Sequence, residues 1–121
     1  MFLASSNKPR QLLCLSYIDL VKPDELARGR ADVLALLAEL SPGFNLLVNM
    51  SQLKVMDYDC RTEIGAMMDQ FDQKGVGLVV RVIPDETKDI GMNILTIFHY
   101  QQHPNVVTCM SLTEAARVLA L

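Results

Sequence analysis

The chain has 121 residues, of which 50% are hydrophobic and 21% are charged. That is enough for one domain with a genuine core, too short for two comfortable ones, and too apolar to be disordered. A formal net charge of −3 gives no electrostatic footprint for nucleic acid. No apolar run approaches the roughly 20 residues that span a bilayer, and the start MFLASSNKPRQ lacks the basic residues and long apolar stretch of a signal peptide. The expectation is a single cytoplasmic domain over residues 1–121.

In chain order, Phe2 to Ser5 reads as a short first strand, with Ser6-Asn7-Lys8-Pro9 as turn chemistry behind it. Leu12 to Ile18 reads as a second strand, so the chain opens on a hairpin. Asp24, after Pro23, begins a helix whose stripe is Leu26, Val33, Leu36, Leu37 and Leu40. On its outer face Arg28 and Asp32 are one turn apart, a pairing worth about 0.3–0.5 kcal/mol. Ser41-Pro42-Gly43 stops the helix, and Phe44 to Met50 forms the next strand.

Lys54 to Gly65, KVMDYDCRTEIG, leads into the clearest period in the chain: Cys60, Ile64, Met67, Met68 and Phe71 fall on one helical face. Gly75 supplies a left-handed cap. Val76 to Ile83 is nearly continuous apolar sequence, as in a parallel strand buried on both faces. The third helix follows Pro84-Asp85-Glu86-Thr87 and ends before Pro104. Its apolar residues Ile90, Met92, Ile94, Leu95, Ile97 and Phe98 spread too widely for one stripe, which implies burial on several sides or a homodimer contact. Asn105 to Met110 is the last strand. Ser111 to Glu114 then fits a capping box that opens a closing helix. Alternating strands and helices require right-handed crossovers. The fold class is α/β: one mostly parallel sheet of four or five strands covered by helices, with an antiparallel first strand as the one exception the pattern allows.

Candidate chemistry is sparse. Cys14, Cys60 and Cys109 are odd in number, far apart and flanked by apolar residues, which reads as reduced, largely buried thiols. His99 and His103 have a metal-clamping spacing but no accompanying acid or thiol, so no metal is expected. Arg81 lies inside an apolar strand and needs a partner, for which Asp57 and Asp85 are the candidates. Lys54, Arg81 and Lys88 with Asp57, Asp59 and Asp85 would gather at the C-terminal ends of neighbouring parallel strands, where open α/β sheets place ligands. Arg81, Asp85 and Lys88 are therefore the candidate anion site. Met67, Met68 and Met92 pad the core or line an adaptable apolar pocket.

The corner itself has competing readings. Asp59 can be an N-cap that accepts from amides around Thr62, worth about 1 kcal/mol. Cys60, in the first helical turn, can be a lowered-pKa thiol, although its inward face and the two nearby acids oppose this.

The order of elements, together with LLVNMSQLKVMD, GVGLVVRV and NVVTCMSLTEAARVL, resembles the STAS domain, the family of anti-sigma-factor antagonists and sulfate-transporter tails. The resemblance implies an antagonist-like, non-enzymatic, cofactor-free module that binds a protein partner in cytoplasmic regulation. Antagonists carry Asp-Ser-Ser/Thr-Gly at this corner and are phosphorylated on its second hydroxyl residue. Position by position, Asp57 matches the aspartate, Tyr58 the first serine, Asp59 the phosphorylated residue and Cys60 the glycine. The acceptor hydroxyl is missing, and Asp59 would supply a fixed charge in its place. The expected partner-binding residues are Lys54, Asp57, Tyr58, Asp59, Cys60, Thr62 and Glu63. The alternative is a small carrier or sensor for an apolar or anionic ligand. No nucleophile–base pair stands out from spacing, so no enzyme activity is expected.

Overall fold

A computed structural model describes all 121 residues. Five strands, β1 (Phe2–Asn7), β2 (Leu12–Val21), β3 (Asn45–Met56), β4 (Leu78–Val82) and β5 (Asn105–Cys109), lie side by side in chain order. The β1–β2 hairpin is antiparallel, and every later neighbour is parallel. Each crossover steps one strand the same way, so right-handed connections put three helices on one face. These are α1 (Pro23–Ala38), α2 (Cys60–Lys74) and α3 (Thr87–His99). After β5 the chain folds under the sheet as α4 (Leu112–Val118).

The main core of 24 buried residues lies between the sheet and α1–α3, joining Leu13, Leu15, Leu46, Val48 and Val79 to Leu26, Val33, Ile64, Met67 and Phe71. A smaller cluster under α4 holds Leu12, Val80, Val82, Cys109, Ala115 and Leu119. Strand β4 is thus covered on both sides, which is why its sequence is continuously apolar. The α2 period is reproduced in full: Cys60, Ile64, Met67, Met68 and Phe71 are all buried, and Gly75 closes the helix at φ 90°.

Several local expectations change. Strands β2 and β3 run three and six residues beyond their expected ends at Ile18 and Met50. Two register shifts between them, near Ser16/Ile18 and Asp19/Leu20, break the alternation that marks a strand in sequence. Because β4 pairs with β3 only as far as Asn49, the rest of β2 and β3 projects beyond the sheet as a two-stranded ribbon. Arg28 pairs with Asp24 at 3.1 Å, not with Asp32. An acid one turn N-terminal to a base is the better helical geometry, and Asp24 also lies at the positive end of the dipole. At α4 the Glu114 amide donates to Ser111 Oγ at 3.1 Å, as a capping box requires. The Glu114 carboxylate accepts from the Met110 amide at 3.2 Å, one residue further back than the box predicts.

Helix α3 departs most. It is not buried on several sides: among its apolar residues only Met92 is buried, whereas Ile90, Ile94, Ile97 and Phe98 are 64%, 51%, 75% and 68% exposed. Met92 and Leu95 anchor it to the core, and polar contacts add to them. Asn93 Oδ1 accepts from Arg81 at 2.9 Å, and His99 Nδ1 lies 2.7 Å from Asp69 of α2. No helix is long and apolar enough to cross a membrane.

Candidate functional site

The ribbon ends at Met56, and the chain turns through Asp57-Tyr58-Asp59 into α2. The turn is fixed by its backbone. The Asp57 amide donates to the Val21 carbonyl at 3.3 Å, and the Cys60 amide to the Asp57 carbonyl at 2.9 Å. Asp57, Tyr58 and Asp59 all face solvent, and Tyr58 is 75% exposed. The Arg61 guanidinium lies over the Tyr58 ring, 3.7 Å from its centre, a cation–π contact that holds both side chains against the corner.

Asp59 is not a cap. Its backbone is helical (φ −68°, ψ −13°), and its carboxylate accepts no hydrogen bond from the first-turn amides. A capping side chain needs an extended backbone to reach over those amides. The carboxylate is therefore a solvent-facing charge at the positive end of α2.

Cys60 is fully buried, its Sγ 3.6 Å from the Val21 carbonyl oxygen, so it drops out as a contact residue. Burial first, and the negative charge of Asp57 second, push its thiol up to about 11. This is the reverse of the lowered value a reactive thiol needs. Burial also raises Cys14, Cys109, Tyr17 and Tyr100. All these groups hold their protons more tightly folded than unfolded, so their contribution to stability is complete below the unfolded values and is lost above them. Unfolding free energy should stay flat from neutral pH to about pH 8 and fall from there through pH 11. At pH 8 native Cys60 should resist alkylation that the urea-unfolded chain undergoes readily. Urea titrations across pH and timed iodoacetamide labelling check both.

The remaining expected residues do not converge. Lys54 lies on the ribbon and reaches Asp19 at 3.7 Å, and Glu63 binds Arg30 of α1 at 3.1 Å. Thr62 is exposed. The candidate anion site comes apart. Asp85 accepts from the Thr87 hydroxyl and from the amides of Thr87 and Lys88 at 3.0 and 3.3 Å. These bonds, the Thr87 hydroxyl's first, lower its carboxyl below the usual range. Arg81 pairs with neither Asp57 nor Asp85. It points under α3, is 1% exposed, and lies 3.8 Å from Asp89. Its Nε and Nη1 find no hydrogen-bond partner in the chain. Strand β4 alternates, so Arg81 shares the helix-facing side with Val79, and only α3 can supply its counter-charge.

Asp57 and Lys88, expected to gather at a ligand site, and Met92, expected in the core or in an apolar pocket, do meet beside the corner. A groove of about 280 Å³ separates it from α3, floored by Met56, Ile64, Met92 and Leu95. Asp57, Tyr58, Arg61 and Lys88 form its rim. Arg61 stands three residues after Tyr58 and just inside the helix that Cys60 opens, and that spacing is the signal that could have placed it there.

The architecture matches solved structures across nearly its whole length. An uncharacterised DUF3478-family protein with a SpoIIAA-like fold from Shewanella loihica PV-4 superposes with a TM-score of 0.73 at 10% identity, covering 98% of this chain and 92% of the other. The anti-sigma factor antagonist SpoIIAA in its unphosphorylated form gives 0.66 at 13% identity, with both chains fully covered. An anti-sigma factor antagonist from Mycobacterium paratuberculosis gives 0.62 at 13% identity, over 100% of this chain and 94% of that one. No protein-family model matches the sequence, and no curated protein matches it significantly. The likeness is one of fold: this is a STAS-like, SpoIIAA-type α/β domain.

Proposed function

We propose that this STAS-like domain is a non-enzymatic regulatory module that binds a protein partner through the exposed corner Asp57–Thr62. The observation that carries the reading is the contrast at the corner. Asp57, Tyr58 and Asp59 project into solvent from a turn whose backbone is fixed, while the neighbouring thiol is buried. An exposed tyrosine stacked on an arginine is the kind of rigid anchor that protein interfaces favour. Asp59 makes no structural hydrogen bond, so its charge is free for a partner to read. It stands where antagonists of this fold carry their phosphorylated residue, and the module would be held in one charged state. A single carboxylate reproduces only part of a phosphoryl group's −1.5 to −2 charge, on the order of one unit fewer.

The exposed stripe Ile90, Ile94, Ile97 and Phe98 supports a second contact, with another copy of the chain. Capture from host lysate, followed by native mass spectrometry of the eluate, tests the reading. Wild type should retain a defined protein that Tyr58→Ala and Asp59→Ser lose or weaken at least about tenfold, roughly the 1.4 kcal/mol of one strong contact. Both variants should unfold within about 0.5 kcal/mol of wild type, as exposed substitutions do. Equal retention by all three proteins would refute the assignment.

A further inference from the structure

The groove beside the corner has an organisation that docking of a protein partner does not require. Its floor is apolar and lies between two helices that both begin at its rim, with Arg61 the second residue of α2 and Lys88 the second residue of α3. Both helices therefore turn their positive ends toward the same opening. Neither Arg61 nor Lys88 forms an ion pair within the chain; every salt bridge belongs to other residues. Against these two cations the groove wall carries one acid, Asp57. An apolar trough whose wall carries one net positive charge is complementary to a molecule with one negative end and one greasy end.

We propose that the groove binds a small, free monocarboxylic acid, with its carboxylate between Arg61 and Lys88 and its hydrocarbon part over Ile64, Met92 and Leu95. The 280 Å³ equals the share of about nine water molecules in the liquid. A methylene occupies nearly the same space, so a chain of about eight carbons fills the trough. The volume lies just under the range of drug-sized sites and suits a small ligand. A planar guanidinium donates to a carboxylate in a two-bond fork, and one net positive charge on the wall matches a singly charged head better than a doubly charged phosphate. This inference does not depend on the docking reading, and the isolated protein suffices to test it.

Titration with octanoate, hexanoate, octanol and octyl phosphate, followed by amide NMR shifts, provides the test. Octanoate should bind saturably below its aggregation concentration and shift amides in 56–64 and 88–95. Hexanoate, two methylenes shorter, should bind about fifteen-fold more weakly, at about fourfold per methylene. Octanol should bind at least about fivefold more weakly than octanoate. The double variant Arg61→Gln/Lys88→Gln should lose that fivefold advantage, bind octanol as wild type does, and keep the wild-type Tm. Non-saturable binding, octanol binding as tightly as octanoate, or shifts centred elsewhere would overturn the site. Tighter binding of octyl phosphate would overturn the carboxylate assignment. A failed titration with an intact partner interaction would reject this site and leave the docking reading standing.

Discussion

Asp89→Ala should lower the unfolding free energy by about 3 kcal/mol, the cost of leaving a buried charge without its counter-ion. Arg81 is the largest fully buried side chain, and Asp89, at 3.8 Å, is its only acidic partner. Burial lowers the Arg81 guanidinium and the Asp89 carboxylate works against that shift. Losing Asp89 also removes its contact with Asn93 at 3.2 Å within α3, and its contact with the Thr108 hydroxyl of β5 at 3.3 Å, which fastens α3 to the sheet. In urea the midpoint should move markedly, and Tm should drop by about 10 °C for a domain of this size. Adding Arg81→Met to Asp89→Ala should restore most of the loss, because an apolar side chain of similar length needs no partner. If the double variant is no more stable than Asp89→Ala alone, the ion pair is not what secures α3.

Phe71→Ala should cost about 3–5 kcal/mol, the range for emptying a large aromatic site in a core that cannot collapse around it. Phe71 is 2% exposed and sits in the main cluster where α2 meets the sheet. Gln70, its neighbour on the same helix, faces solvent, and Gln70→Ala should stay within about 0.5 kcal/mol of wild type. Against a typical total of about 5–15 kcal/mol, Phe71→Ala brings the domain close to its threshold. Paired urea denaturation curves check the contrast. Near-equal losses would mean that α2 does not pack as its period implies.

The core was legible because apolar burial leaves a period. Cys60 through Phe71 and Val79 through Val82 carry their positions in their spacing, and the buried residues match it. Polar geometry leaves no such trace. Asp59 has a good capping residue's identity, but its helical backbone takes the carboxylate away from the amides. Arg81 announced that it needed an acid, and the choice among Asp57, Asp85 and Asp89 turned on which element lies over β4. The ribbon was obscured by its register shifts, which interrupt a period-two pattern exactly where β2 and β3 leave the sheet. For helix α3 the sequence left two readings, burial on several sides or a contact with another copy. The exposed stripe removes the first. The groove depends on two helices starting side by side, a relation no local window of sequence contains.

These pieces amount to one division of labour. The packed scaffold hides its thiol and its arginine, and the corner that it projects keeps its charges and its aromatic ring in solvent. Hydrogen exchange of the domain, alone and with its captured partner, tests that division most directly. Slowed amide exchange should concentrate in residues 57–63 and in the adjoining first turns of α3. Unchanged exchange at the corner, with protection appearing on the open β1–β2 side of the sheet, would contradict it.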